Sequence, residues 1–408
     1  MATTSTAPGV IHPSGWLMRV ESSPTVALSA LAMAMRRKGI DVINLCAGEP
    51  DFDTPASIRE AAKKAIDAGH THYTPAAGLP ELREGVAKVI SARTGMTYGA
   101  ENIAITPGTK YAVYTSLAAL IEPGDEVLVP APYWVSYPAM VEMLGGVPRS
   151  VWAGPAQGFK VTATDLERSR TTRTRGLIFN SPSNPTGADY RRTEIEELAL
   201  WAAEHDVWIL ADEIYSELRF NDSPFVSIAA CDPRGKDGTV INDGFSKSYA
   251  MTGWRLGYVA AAAPLVAGII RVLEQTTSNA TSISQYAALA ALACDPFEIR
   301  RMRDAFKARR DAVYEVLKAI PDIVVTLPDG AFYFFIDVQA YLGRNLPTGL
   351  PVETSEVLCT YLLESHHVAL VPGEGFGAPG FVRVSFAADA DTLRRAGERF
   401  RAGLAALR

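Results

Sequence analysis

The sequence predicts an α/β protein: a large unit on a mostly parallel, helix-covered sheet, with a smaller α+β companion. Three observations carry this. Short β-rich runs (Glu126–Val129, Gly176–Phe179, Val207–Leu210, Gly238–Ile241 and Gly257–Ala260) alternate with helical stretches such as Arg192–His205. That is the pattern of strands buried on both faces by crossover helices. Beyond Ala280 the rhythm changes to a long charge-laced helical stretch, roughly Pro296–Ala319, then strand-like Phe332–Val338, Val368–Pro372 and Phe381–Phe386. At 408 residues the chain also exceeds what one core ordinarily organises.

Taken in order, residues 1–15 read as a flexible tail. Residues 16–52 and 296–408 are expected to form the smaller unit, and 53–295 the larger. Apolar residues between Thr25 and Lys38 suit a helix that Gly39 can end. Val42–Leu45 is a short strand leading into the turn-rich Ala47-Gly-Glu-Pro-Asp-Phe-Asp-Thr-Pro55. A helix from Pro55 to Ala68 precedes His72-Tyr-Thr-Pro-Ala-Ala-Gly-Leu-Pro80, where turn residues leave Tyr73 exposed. Asn102–Thr106 is a strand, followed by a Gly turn and a helix through Leu120. Tyr341–Pro351, rich in Gly and Pro, is a loop. The last helix sets Leu393, Ala396, Phe400 and Leu404 on one apolar stripe, a core face.

A net charge of −6 gives no reason to expect nucleic acid or an anionic membrane as partner. Cys46, Cys231, Cys294 and Cys359 show no metal or disulfide spacing, as in a reducing compartment. Residues 1–18 carry no Lys or Arg and no signal-peptide pattern, and the apolar run Leu256–Ile270 is interrupted by Pro264. A cytoplasmic protein without a bound metal is expected.

The chemistry concentrates in Asp243-Gly-Phe-Ser-Lys-Ser-Tyr-Ala-Met-Thr-Gly-Trp-Arg-Leu-Gly257. Lys247 sits in a small-residue turn after a β-branched run. Desolvation there lowers an ammonium pKa, and the free amine can attack an aldehyde. Arg255 offers a planar fork suited to a phosphate dianion. Alone, the pair fits equally a surface lysine and arginine flanking a loop. The strand–turn–helix junction at Gly108-Thr-Lys110 leaves free N–H groups that can bind phosphate oxygens. Asp212, at the end of an apolar strand, needs either a cation or a role as N-cap.

The stretch Gly244–Gly257 resembles the lysine signature of the class I aminotransferases that depend on pyridoxal phosphate (PLP). Ser181-Pro-Ser-Asn-Pro-Thr-Gly187 and Asp212-Glu-Ile-Tyr215 match further motifs of that family. The similarity runs from about Ser22 to the end and is strongest with the bacterial aspartate/prephenate branch. It implies fold type I with a seven-stranded large-domain sheet, PLP as cofactor and a homodimer. Lys247 would bind the cofactor aldehyde and move the substrate proton. Asp212 would pair with the pyridine nitrogen, Tyr215 and Asn184 would bond the ring oxygen, and Trp134 would stack on the ring. Gly108, Thr109, the Lys110 backbone, Ser246, Arg255 and a partner's copy of Tyr73 would hold the phosphate.

Arg383 would take the substrate α-carboxylate near Gly48, Trp134 and Asn184. Lys110, with Thr25, would receive a distal carboxylate. The implied reaction moves the amino group of an L-amino acid (aspartate, or glutamate, prephenate or arogenate) to a 2-oxo acid such as 2-oxoglutarate in a ping-pong cycle. Two departures stand out: Gly244, where many relatives carry serine, and Tyr111, where close relatives more often carry Gln. The same residues would equally serve a PLP-dependent lyase or carbon–carbon bond-forming enzyme. A catalytically silent PLP-binding regulator is the third reading.

Overall fold

The structure is a computed structural model and describes residues 24–408, with side chains from Ala27. The expected tail at 1–15 and the side chain of Thr25 lie outside the described residues. Thirteen strands occur among them: β1 (Ile43–Asn44), β2 (Ile103–Thr106), β3 (Glu126–Ala131), β4 (Val147–Trp152), β5 (Thr174–Asn180), β6 (Trp208–Asp212), β7 (Thr239–Gly244), β8 (Gly257–Ala260), β9 (Val324–Val325), β10 (Tyr333–Asp337), β11 (Val368–Ala369), β12 (Val371–Pro372) and β13 (Phe381–Ser385).

Seven of them form one sheet in the order β2-β8-β7-β6-β5-β3-β4. All pairings are parallel except those of β8, which runs antiparallel to both β7 and β2. The carboxyl ends of β2, β3, β5, β6 and β7 therefore share one edge, and the amino end of β8 joins them. Ligands collect along such an edge, where strand order reverses. Apolar side chains cover both faces. Ala112, Val113 and Leu117 of helix Thr109–Leu120 pack on one side with Val266, Ile269 and Leu273 of helix Ala263–Thr276. Ile195, Leu198 and Ala202 of helix Arg192–Glu204 cover another part of the sheet with Leu177 and Ile209.

Strand β4 was not anticipated. It forms one edge of the sheet, exposed at Val147, Arg149, Ser150 and Trp152. Its polar, proline-bearing sequence lacks the continuous apolar run of its neighbours, and an edge tolerates Pro148.

A second, four-stranded sheet has the order β12-β13-β10-β9, all antiparallel. Helices Pro296–Leu317, Ser355–His366 and Ala390–Ala405 pack around it. The core includes Phe306, Phe332, Phe334, Phe386 and the expected stripe Leu393, Ala396, Phe400 and Leu404. Phe306 stacks on Phe332 with centroids 5.4 Å apart, an arrangement worth about 0.5–1.5 kcal/mol beyond its burial. Ile43 and Leu45 belong to this core, and β1 pairs in parallel with β11. So do Ile214, Tyr215, Leu218 and Phe220, which follow β6. The loop after β6 is thereby anchored in the second core, which brings Arg383 of β13 toward the first sheet.

Candidate active site

The site assembles along the shared strand edge. Lys247 follows β7 in a turn and is partly buried. Its Nζ donates to the Gly48 carbonyl, which the Ala47–Pro55 loop brings from 199 residues away. The Phe332 ring lies 5.8 Å from the same nitrogen. Desolvation is the largest influence and lowers the ammonium pKa to about 8. Glu49 and Asp212 pull upward, while Arg383 and Arg255 push it down.

Asp212 ends β6 and is 4% exposed. It accepts from Tyr137 Oη at 2.7 Å and, more weakly, from Ile214 N at 3.3 Å, so the N-cap and acid roles coexist. Burial raises its pKa to about 6 against these bonds. A carboxylate held like this is stabilised by any cation brought beside it. Tyr137 was not singled out from the sequence. The signal was its place one helical turn past Trp134, whose ring it meets edge-on at 5.2 Å.

Tyr215 is buried, and its hydroxyl is 2.9 Å from that of Tyr333. Tyr333 is a second residue that sequence reasoning missed. In Ala331-Phe-Tyr-Phe-Phe335 it reads as one more core aromatic, yet its hydroxyl would stand 3.0 Å from a Cβ at Gly48. Asn184 receives Arg383 Nη1 on its Oδ1 at 2.9 Å. Arg383 also donates through Nη2 to the Cys46 carbonyl at 2.7 Å. Its plane lies 4.4 Å from the Tyr333 ring centroid. It is 3% exposed, on an interior strand, and its Nε is buried without a partner among the described residues. An unpartnered N–H of a buried guanidinium is costly. A carboxylate would satisfy it.

The anion cradle lies where β2 and β8 meet. Gly108 has φ +84°, and a Cβ there would stand 2.6 Å from Arg255 Nη2. Only glycine combines that backbone with so close an approach. Thr109 opens helix Thr109–Leu120, and its Oγ1 is buried without a partner among the described residues. Arg255 stays exposed, with Nη1 on the Thr252 carbonyl at 3.0 Å. A phosphate dianion would satisfy the helix-start N–H groups, the threonine hydroxyl and the guanidinium together. The residues present fit that group.

Gly244 is explained in the same place. A Cβ there would meet Thr109 Oγ1 at 2.5 Å and the Gly257 backbone at 2.8 Å. The close β7–β8 packing leaves no room for a serine, and Thr109 stands where such a hydroxyl would lie. Ser246 is buried on the same turn.

Lys110 Nζ lies 4.9 Å from the Trp134 ring. Its pKa is lowered by desolvation and then by Arg255. Tyr111 instead stacks on Tyr114 at 5.8 Å, within the helix-packing core. Tyr73 is 89% exposed and makes no part of the site within this chain. Among the described residues no group of three or more His, Cys, Asp or Glu could hold a metal.

Comparison with known proteins identifies the family. The family described as aminotransferase class I and II matches residues 40–400. An aspartate/prephenate aminotransferase of Cereibacter sphaeroides is 42% identical over 395 residues, 97% of this chain and 99% of the relative. The crystal structure of the aspartate aminotransferase from Rhizobium meliloti superposes with a TM-score of 0.93 at 38% identity, covering 98% of this chain and 100% of that one. An aspartate aminotransferase from Thermus thermophilus, solved with maleate, gives 0.90 at 38% identity, covering 97% and 100%. With its sequence matched across nearly the whole length and its fold superposed on theirs, the chain belongs to the class I and II aminotransferases.

Proposed function

We propose that this aminotransferase uses PLP to move the amino group of aspartate, or of glutamate, prephenate or arogenate, to a 2-oxo acid such as 2-oxoglutarate. The observation that carries the reading is Lys247: a desolvated amine with its pKa near 8, set among Asp212, Arg383 and Arg255. When bound, PLP supplies an aldehyde carbon and an electron-withdrawing ring.

The chain's own residues do the rest. Gly108, Thr109, the Lys110 backbone, Ser246 and Arg255 hold the phosphate. Asp212, oriented by Tyr137, accepts from the ring nitrogen. Tyr215 and Asn184 bond the ring oxygen, and Trp134 covers the ring face. Arg383 grips the substrate α-carboxylate as a fork that Asn184 and the Cys46 carbonyl hold flat, close to Gly48. Lys247 Nζ, neutral in roughly a tenth to a fifth of molecules at physiological pH, then takes the proton from the substrate α-carbon. Lys110 and Thr25 would face a distal carboxylate. The maleate in the Thermus structure, a dicarboxylate, supports that choice.

The same reading takes 53–295 as the PLP-binding domain, with 16–52 and 296–408 as the smaller one. It also takes a cytoplasmic homodimer in which exposed Tyr73 reaches the partner's phosphate. Four free cysteines suit a reducing compartment.

The test is to incubate the protein with PLP, reduce with borohydride and map the modified peptide. The phosphopyridoxyl mass should fall on Lys247, and aspartate with 2-oxoglutarate should yield oxaloacetate and glutamate. Label on another lysine, or none, refutes the reading. Label on Lys247 with ammonia and no keto-acid exchange would favour the lyase alternative.

A further inference from the structure

We infer that Arg93, which touches neither substrate nor Lys247, is a positioning residue that holds the charge of the site from behind the sheet through Asp243 and Glu213. Strand alternation explains the arrangement. Asp212 and Asn242 are register partners, so the residues that follow them, Glu213 and Asp243, turn to the opposite face. Two carboxylates thus lie side by side directly behind the acid and the lysine turn. Each is 3% exposed, and one cation serves both: Arg93 Nη1 is 3.0 Å from Glu213 Oε2 and 2.7 Å from Asp243 Oδ2.

Arg93 comes from the last turn of helix Pro80–Thr94. Ser227 Oγ donates to the other Glu213 oxygen at 2.5 Å, and Tyr258 Oη to Asp243 at 3.1 Å. Asp243 Oδ1 accepts from Gly244 N at 2.6 Å, so the carboxylate that Arg93 aligns also fixes the start of the turn carrying Lys247. Burial raises the pKa of both carboxyls and the Arg93 charge opposes it; with both ionised the group carries one net negative charge in a dry interior. Removing Arg93 from such a group leaves two buried carboxylates uncompensated.

Its charge acts directly on Asp212, whose pKa Asp243 pushes upward, and reaches Lys247 through Asp212 and through the Gly244 turn that Asp243 fixes. Asp212 is faced by Tyr137, Asp243 and Lys247. Lys247 is faced by Glu49, Arg383, Arg255 and Asp212. Losing a negative charge behind them disfavours the ammonium at Lys247 and favours the carboxylate at Asp212.

The inference rests on the proposed function for its consequence in turnover, but its test does not. The full chain without cofactor is labelled with a limiting amine reagent across pH, and the Lys247 peptide is quantified to give its titration midpoint. Asp243→Asn keeps an acceptor for Gly244 N–H, and Glu213→Gln keeps its shape. Each takes the group from net −1 to 0 and should lower the midpoint by roughly 0.5 pH unit, the size of a partly screened charge behind the sheet. Arg93→Gln should raise it, and Arg93→Lys should restore it.

The absorbance titration of the PLP-loaded protein should move in the same directions. Midpoints within about 0.2 unit of wild type in both carboxylate variants, or shifted upward, overturn the inference even if Arg93→Gln fails to fold. Borohydride mapping separately tests the function, so the two failures are told apart.

Discussion

Replacing Lys247 by methionine should abolish turnover and yet stabilise the cofactor-free protein at neutral pH. The ammonium is buried enough that its pKa falls from 10.5 to about 8. At 1.36 kcal/mol per pH unit this corresponds to about 3 kcal/mol of folding free energy. Because the folded pKa is depressed, the cost is fully present below about pH 8 and disappears as pH climbs toward the unfolded value. Methionine fills a similar volume without charge. Two effects reduce the gain: the amine keeps partial exposure, and its removal takes a cationic neighbour from Asp212. The net expectation is ~2 kcal/mol near pH 7, shrinking to under about 1 kcal/mol near pH 10. Urea unfolding of both proteins at the two pH values, with equal m-values, measures it. A variant less stable than wild type at pH 7, or a gap that does not change with pH, would refute the desolvation argument.

Other substitutions follow from the same geometry. Arg383→Lys loses the fork that meets Asn184 and Cys46 together, and kcat/KM should fall about 100-fold, mostly through KM; a loss under about 3-fold would contradict it. Gly244→Ser forces a Cβ against the Gly257 backbone and should destabilise by about 1–3 kcal/mol while weakening PLP binding, read by denaturation and cofactor titration. An unchanged protein would mean β7 and β8 can separate there. Lys110→Ala should cost activity on aspartate far more than on monocarboxylic amino acids in a donor panel. Equal losses would remove its part in side-chain recognition.

Much of the site was legible because its residues stand at strand ends. Asn184, Asp212, Lys247 and Gly108 each follow an apolar run whose strand character is plain from composition. Arg255 stays at the same edge because the antiparallel β8 begins there. The aromatic and ionic supports were not legible. Tyr333 lies in a run of aromatics where every member looks like core, and only the fold puts its hydroxyl on Tyr215 and beside Gly48. Arg93 sits in an exposed-looking helix end, and nothing near it in sequence announces Asp243, 150 residues away. Strand β4 escaped because an edge strand buries too little to need an apolar pattern.

By itself, the sequence determined the alternation of strands and helices, the lysine turn, the glycine junction and the family motifs. These depend on local backbone chemistry and on side chains a few residues apart. Tertiary structure alone decided that Gly48 caps Lys247, that Asn184 aligns Arg383, and that one arginine serves two acids behind Asp212. Those pairings join segments far apart along the chain, and only the packing of two cores brings them within hydrogen-bond distance and out of water.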